Sequence, residues 1–280
     1  MKIGIIANKT YSDKISPFFQ EFLVWLNDNK IDFCVEEEFA DIAGYPYGIS
    51  LSKMIQSIDF LVVLGGDGTI LRAARLMDKK QIPILGIRFG RLGFLAELSG
   101  ETYKNELLSI LQGKYKIDKR MVLEAKVSEN KGKYYALNDV VLFRSHSSRL
   151  INMDVSIDGQ YMNTFRSDGL IVASPTGSTA YSLSSGGPIV SPQINAIVIN
   201  PICPHMLSNR PTLISGDSTI EICFTELHDG CTLSLDGQQD MMVTKDTIIK
   251  IKKASHSVKL VRSQDKDFFS VVRDKLNWIQ

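Results

Sequence analysis

The run Gly65-Gly66-Asp67-Gly68-Thr69 sets one carboxylate among three glycines, directly after five apolar residues, Phe60 to Leu64. Ligands of open α/β sheets bind beyond the carboxyl ends of the strands. Glycine lets the backbone come close to such a ligand, and a helix opening there presents free N–H groups and a positive dipole to phosphate. A carboxylate in that place repels phosphate and needs another task. It holds Mg²⁺, or it accepts the proton of an attacking hydroxyl, or it only caps the helix. The chain has neither the GxxxxGK[ST] phosphate loop nor the GxGxxG fingerprint. No acidic residue is found at the strand end where a dinucleotide-binding dehydrogenase carries one, which speaks against that class.

Two further clusters carry polar chemistry. Asn138 and Asp139 are adjacent in the strand-like run Tyr134 to Phe143. Strands disfavour both residue types, and neighbours in a strand face opposite ways, so a bulge or a strand end is needed for both to reach one ligand. Farther on, Phe165-Arg166-Ser167-Asp168-Gly169 leads into an apolar strand and then into Ser174-Pro175-Thr176-Gly177-Ser178-Thr179-Ala180-Tyr181-Ser182-Leu183-Ser184-Ser185-Gly186-Gly187-Pro188. Small residues permit close approach, the hydroxyls offer hydrogen bonds, and the one aromatic offers a face to a base. A flexible linker is not expected between ordered apolar strands.

Gly-Gly-Asp-Gly-Thr resembles the signature shared by NAD kinases, diacylglycerol and sphingosine kinases and 6-phosphofructokinases. The Asn138-Asp139 pair and the Asp168-Gly169 and Thr176-Gly177-Ser178-Thr179-Ala180-Tyr181-Ser182-Leu183-Ser184 motifs resemble NAD kinases in particular. Gly90-Arg91-Leu92-Gly93-Phe94-Leu95, Asn200-Pro201-Ile202-Cys203-Pro204-His205 to Arg210-Pro211, and Leu235-Asp236-Gly237-Gln238 are similar to further turns of that family. The resemblance implies transfer of a phosphoryl group from ATP, another nucleoside triphosphate or polyphosphate to the adenosine ribose 2′-hydroxyl of NAD, giving NADP. It implies Asp67 as the base, with Gly68 beside it, and Arg72 as a nucleotide contact one turn into the helix. Asn138 and Asp139 would hold the ribose hydroxyls. Asp168 and Thr179, Ala180, Tyr181, Ser182, Leu183 and Ser184 would contact the dinucleotide, as would Gln238, and Arg149 and Arg166 fall where the family has basic or polar contacts. A divalent cation, Mg²⁺ by expectation, would travel with the donor phosphates, with no protein metal ligand assigned. Homodimers or homotetramers are implied by analogy. Arg88 stands where the family usually has Asn, which bears on donor handling. A lipid or sugar kinase of the same fold and a non-catalytic nucleotide-binding protein are the rivals.

Two dissimilar halves must position these residues. Ile3 to Ala7, Ile31 to Val35, Phe60 to Leu64 and Ile82 to Ile87 read as strands. Ser16 to Asn29, Ile70 to Met77 and a connecting stretch, Ser99 to Leu111, read as helices. Strand-helix alternation predicts an α/β domain with a parallel sheet, Rossmann-like by the resemblance. Past residue 98 the pattern becomes β-rich: Met153, Val155 and Ile157 alternate with polar residues before an Asp158-Gly159 hairpin turn. Ile220 to Phe224, Thr232 to Leu235, Thr247 to Ile251 and Val258 to Val261 continue it. The expected domains are 1–98 plus 263–280, with a C-terminal helix, Phe268 to Ile279, returning to the first domain, and 99–262.

Composition bounds the rest. The 280 residues are 44% hydrophobic and 22% charged, with a formal net charge of +1. That balance lacks the basic footprint of a nucleic-acid binder. Lys250, Lys252 and Lys253 read as a solvated sheet edge. Cys34, Cys203, Cys223 and Cys231 form no CxxC pair and are expected to be buried free thiols, with no zinc site or disulfide framework. No secretory leader is visible, and no apolar run reaches the roughly 18 residues of a membrane span. The expectation is a cytoplasmic protein.

Overall fold

The computed structural model describes residues 1–8, 12–77, 80–90, 93–129, 132–145, 149–227, 230–264 and 267–278. They form two compact units, Met1–Lys119 with Val258–Gln280, and Arg120–Ser257. Arg91 and Leu92 of the expected turn and Ile279 of the expected helix lie outside the described residues.

The first unit runs β1 (Lys2–Ala7), α1 (Ser12–Asp28), β2 (Asp32–Glu36), α2 (Glu37–Ala43), β3 (Gly48–Ile49), α3 (Leu51–Ser57), β4 (Phe60–Leu64), α4 (Asp67–Leu76), β5 (Ile84–Arg88), β6 (Leu98–Ser99) and α5 (Tyr103–Leu111). Its main sheet is parallel with order β3-β2-β1-β4-β5. The all-apolar strand β4 is buried along its whole length, as a strand covered on both faces must be. The order reverses between β1 and β4, so the carboxyl end of β4 borders the topological switch point, where such sheets take ligands. The short elements α2, β3 and α3 escaped the sequence reading; segments of two to seven residues hold too few turns to show a period.

The second unit holds β7 (Lys116–Val127, entering from the first), β8 (Tyr134–Ala136), β9 (Asp139–Arg144), β10 (Ile151–Ile157), β11 (Gln160–Ser167), β12 (Gly169–Ala173), a 3₁₀ turn (Gly177–Thr179), α6 (Tyr181–Ser184), β13 (Ala196–Ile202), β14 (Thr212–Ser215), β15 (Ile220–Glu226), β16 (Cys231–Leu235), β17 (Gln239–Val243) and most of β18 (Ile249–Arg262). One antiparallel sheet has the order β14-β13-β12-β9-β16-β17. The other contains β11-β10-β15-β18, with β7 also pairing β18. The main core lies between them: Val140, Leu142, Leu170, Val172, Ile197, Ile199 and Leu233 meet Met153, Val155, Phe165, Ile222, Phe224 and Ile251. The intervening residues Val141, Ile171, Ala173 and Val198 face the other way and pack with Val190. That second, smaller core explains why β12 is apolar throughout instead of alternating. The Asp158-Gly159 turn closes the β10–β11 hairpin with φ of 52° and 80°, the geometry such a dipeptide favours.

The last residues of β18 and α7 (Phe268–Leu276) complete the first unit. The unit boundaries fall at 119/120 and 257/258, where the sequence suggested 98/99 and 262/263. The reason is packing: Tyr103, Leu107 and Ile110 of α5, and Val261 of β18, share the core of Ile3, Ile5, Phe22 and Val62. Residues 249–262 form one strand where two were expected. Lys250, Lys252 and Lys253 are exposed, but β18 is an interior strand between β15 and β7, with Lys250 paired to Glu221 at 2.7 Å and Lys253 to Asp217 at 3.0 Å. All four cysteines are free; Cys34 and Cys231 are buried, but Cys203 is exposed and Cys223 half-buried, contrary to the expectation. Among the described residues no helix is long and apolar enough to cross a membrane.

Candidate functional site

In the first unit, Asp67 is the opening residue of α4, immediately beyond β4. Its carboxylate accepts the Phe94 N–H at 2.8 Å on Oδ2, and the Leu95 and Ala96 N–H groups at 3.0 and 3.4 Å on Oδ1. A carboxylate offers about four acceptor positions, so this cradle fixes the direction of the group and leaves a position on Oδ2 for a further proton donor. Gly93 is required beside it, since a Cβ there would overlap Asp67 Oδ1. Gly68 is exposed at the start of the helix. Arg72 is directed to protein groups: Nη2 lies 2.8 Å from Glu36 Oε2 and donates to the Ala7 carbonyl at 3.4 Å, and Nη1 lies 3.7 Å from Glu38. Glu36 is a correction to the sequence reading. It is an acidic residue at the end of β2, but it is buried and its carboxylate is taken by Arg72. Arg88 donates to the Gly90 carbonyl at 2.6 Å, within its own turn.

In the second unit a pocket of ≈ 780 Å³ opens on the outer face of the six-stranded sheet, in the range of small-molecule sites. Asn138 and Asp139 line it with Val141 and Phe143, as do Asp168, Ala180 and Tyr181. Asn138 precedes β9 and Asp139 begins it, the strand-end arrangement that lets two adjacent residues share one side. Leu137, Asn138 and Asp139 donate their backbone N–H groups to the Asp236 carboxylate at 2.9, 2.7 and 3.2 Å. Asp139 is buried, and its carboxyl is pushed up to about 7, first by loss of water and second by the negative charge of Asp236. Arg144 pairs with Asp168 at 2.8 Å. Four lining carboxyl groups, from Asp139, Asp168, Asp236 and Asp240, stand against the single lining arginine. Such a lining repels phosphate and suits hydroxyl and amine donors or a cationic ring.

The Ser/Thr/Gly-rich segment folds differently from its sequence impression. Three of its hydroxyls donate to backbone carbonyl oxygens. Ser174 Oγ donates to the Leu137 carbonyl at 2.5 Å, Ser178 Oγ to Pro175 at 2.6 Å, and Thr179 Oγ1 to Thr176 at 3.1 Å. Ser182 is fully buried, its oxygens accepting from Asn200 Nδ2 at 3.0 and 3.3 Å. Gly177 sits so close to the Asn138 backbone that a Cβ would overlap its carbonyl oxygen, which locks this segment to the Asn-Asp strand end. Of the six positions from Thr179 to Ser184, only Ala180 and Tyr181 line the pocket; Gln238, Arg149 and Arg166 are not among its lining residues either. Arg149 and Arg166 are exposed.

Ser234, Asp240 and Arg144 line the pocket and were not singled out from the sequence; Asp236 and Cys203, quoted there only as parts of longer motifs, line it too. Asp236 had a signal, the Asp-Gly turn in which it now holds φ 53°. Arg144 had none; it reaches Asp168 only because β9 pairs with β12. Among the described residues no cluster of three or more His, Cys, Asp or Glu could hold a metal ion.

A family model for the ATP-NAD kinase N-terminal domain matches residues 3–115, and one for the ATP-NAD kinase C-terminal domain matches residues 137–263. A Geotalea daltonii protein named NAD kinase is 39% identical over 281 residues, covering 99% of this chain and 98% of its own. One from Magnetococcus marinus, also named NAD kinase, is 40% identical over 267 residues, covering 93% and 88%. The crystal structure of yeast NADH kinase complexed with NADH superposes with a TM-score of 0.89 at 27% identity, over 99% of this chain and 88% of that one. An NAD kinase from Archaeoglobus fulgidus in complex with ATP gives 0.75 at 25% identity over both whole chains.

Proposed function

The chain belongs to the NAD kinase family and is a kinase acting on NAD, and from that premise we propose that Asp67 is the base that takes the proton of the adenosine ribose 2′-hydroxyl as the phosphoryl group moves. The observation that carries this is the amide cradle: three backbone N–H groups hold the Asp67 carboxylate in one direction at the carboxyl end of β4. A base fixed before the substrate arrives loses no ordering entropy at the moment of reaction. ATP is the donor we favour; the likeness to the archaeal kinase solved with ATP supports it, and polyphosphate is the alternative.

In the second unit, Asn138 and Asp139 supply an amide and a carboxyl to the sugar hydroxyls, and Tyr181 offers an exposed ring face for a base. The divalent cation is assigned to the donor, neutralising its phosphates. Gly68 beside the base and Arg72 remain nucleotide contacts in this reading; Arg72 would have to leave Glu36 to serve. Arg149, Arg166 and Gln238 contribute only if ligand binding recruits them. The homodimer or homotetramer implied by the resemblance is tested by light scattering.

The deciding experiment measures NADP formation from NAD with ATP or polyphosphate, with and without Mg²⁺, in the native chain and in Asp67→Asn. The expected result is turnover that needs Mg²⁺ and falls by about 10² to 10⁴ in the variant, the usual worth of a positioned base, while calorimetric NAD affinity stays within a few-fold. Near-normal turnover in Asp67→Asn refutes the assignment.

A further inference from the structure

Asp67 is oriented by a backbone segment, and that segment is itself held from behind. Arg262, the last residue of β18, has a side chain only 13% exposed. Its Nη2 donates to the Phe94 carbonyl oxygen at 2.8 Å, and its Nη1 pairs with Glu97 Oε2 at 3.0 Å. Its Nε lies 3.5 Å from Asp118 Oδ2. Glu97 is buried and also accepts the Ser263 N–H at 2.9 Å on Oε1, while the Glu97 N–H donates to the Gly86 carbonyl at 3.1 Å in β5. The guanidinium therefore grips the segment at both ends of Phe94–Glu97.

The decisive detail is which peptide Arg262 holds. The Phe94 carbonyl and the Leu95 N–H belong to one planar amide. Arg262 bonds its oxygen, and the N–H on its other side donates to Asp67 Oδ1 with the nitrogen 3.0 Å from the oxygen. Rotating that plane would break both bonds at once. A cation on the oxygen also strengthens the N–H as a donor, because chained hydrogen bonds polarise one another. Satisfying buried Glu97 needs only a cation. Glu97 and the Phe94 oxygen are bonded by two separate nitrogens of one rigid planar fork, a spacing that the single nitrogen of Lys does not reproduce.

We propose that Arg262 is a positioning residue for phosphoryl transfer, acting through the Phe94–Leu95 peptide to aim the Asp67 carboxylate. This rests on Asp67 being the base, and its failure is separable from failure of that assignment. The test is a double-mutant cycle of Arg262→Met and Asp67→Asn, with kcat expressed per NAD-binding site from calorimetric stoichiometry so that misfolded protein drops out. Coupling of this kind is worth about tenfold. Arg262→Met alone should therefore lower kcat by about tenfold with KM for NAD within about twofold. In the Asp67→Asn background it should lower kcat by less than about twofold, since the group it aims is gone.

A full tenfold loss in both backgrounds means Arg262 acts on stability or elsewhere, and overturns the proposal; so does a rise in KM that matches the fall in kcat. Near-normal turnover in Asp67→Asn alone removes the base assignment first, and this proposal with it. If the Met variant does not fold, Arg262→Lys retains the charge for Glu97 without the fork's two spaced nitrogens; a Lys variant with native kcat also overturns the proposal.

Discussion

Replacing Asp139 by asparagine removes a carboxyl whose protonation is moved into the neutral range, and the consequence for stability has a definite sign. Burial and the Asp236 charge raise the Asp139 pKa from 3.8 to about 7. Below pH 3.8 the group is protonated folded or unfolded and contributes no pH dependence. As pH rises from about 4 to about 7, the unfolded chain releases the proton while the folded chain keeps it, so folding stability falls. Above 7 the loss is complete. Three units at about 1.4 kcal/mol each make it ~4 kcal/mol. Asp139 is almost inaccessible to solvent, so screening by water reduces that figure little. Asparagine carries no titrating proton and keeps the shape. Urea unfolding of both proteins at pH 5 and pH 8 should show Asp139→Asn gaining on the native chain by about 2.5 kcal/mol over that interval, the part of the loss that falls there. Parallel stability curves for the two proteins between pH 5 and 8 would refute the argument, because they would mean that Asp139 ionises in the pocket as it does in water.

Other outcomes follow from the same contacts. Gly93→Ala drives a methyl into the Asp67 carboxylate; it should cut kcat sharply and destabilise by about 1–3 kcal/mol, the usual cost of overpacking, as read by NADP formation and thermal unfolding. Tyr181→Ala should raise KM for NAD by about tenfold, in line with the loss of one aromatic–base stack. Its unfolding midpoint should hardly move, because the residue is 47% exposed. Asn200→Asp replaces the donor that serves Ser182 and Ser185 with an acceptor facing their carbonyl oxygens. It should cost about 3 kcal/mol in denaturant unfolding, the penalty of a buried unpaired polar group, and weaken NAD binding with it; a variant as stable as the native chain would show that the segment does not depend on this amide.

The motifs at Asp67, Asn138-Asp139 and Asp168 through Ser184 stand out in sequence because residue type and local spacing mark them: glycine for close approach, a carboxylate after an apolar strand, small residues in a run. The same local logic made the α/β first half and the β-rich second half readable, through strands such as Phe60–Leu64 and the Asp158-Gly159 hairpin. It failed where the cause is not local. Helix α5 joined the first unit because Tyr103, Leu107 and Ile110 complete its core, which no spacing within α5 reveals. Ser182 turned inward because Asn200, on another strand, takes its oxygens. Arg144 entered the pocket through strand pairing, and Asp236 came to the back of Asp139 through a turn far along the chain. Arg262 reaches the Phe94 peptide only because β18 lies beside β5. Residue identity determined which groups could react; which of them face a ligand, which hold others in place, and what proton Asp139 carries were decided by burial and by neighbours distant in sequence, since desolvation and hydrogen-bond partners exist only in the packed chain.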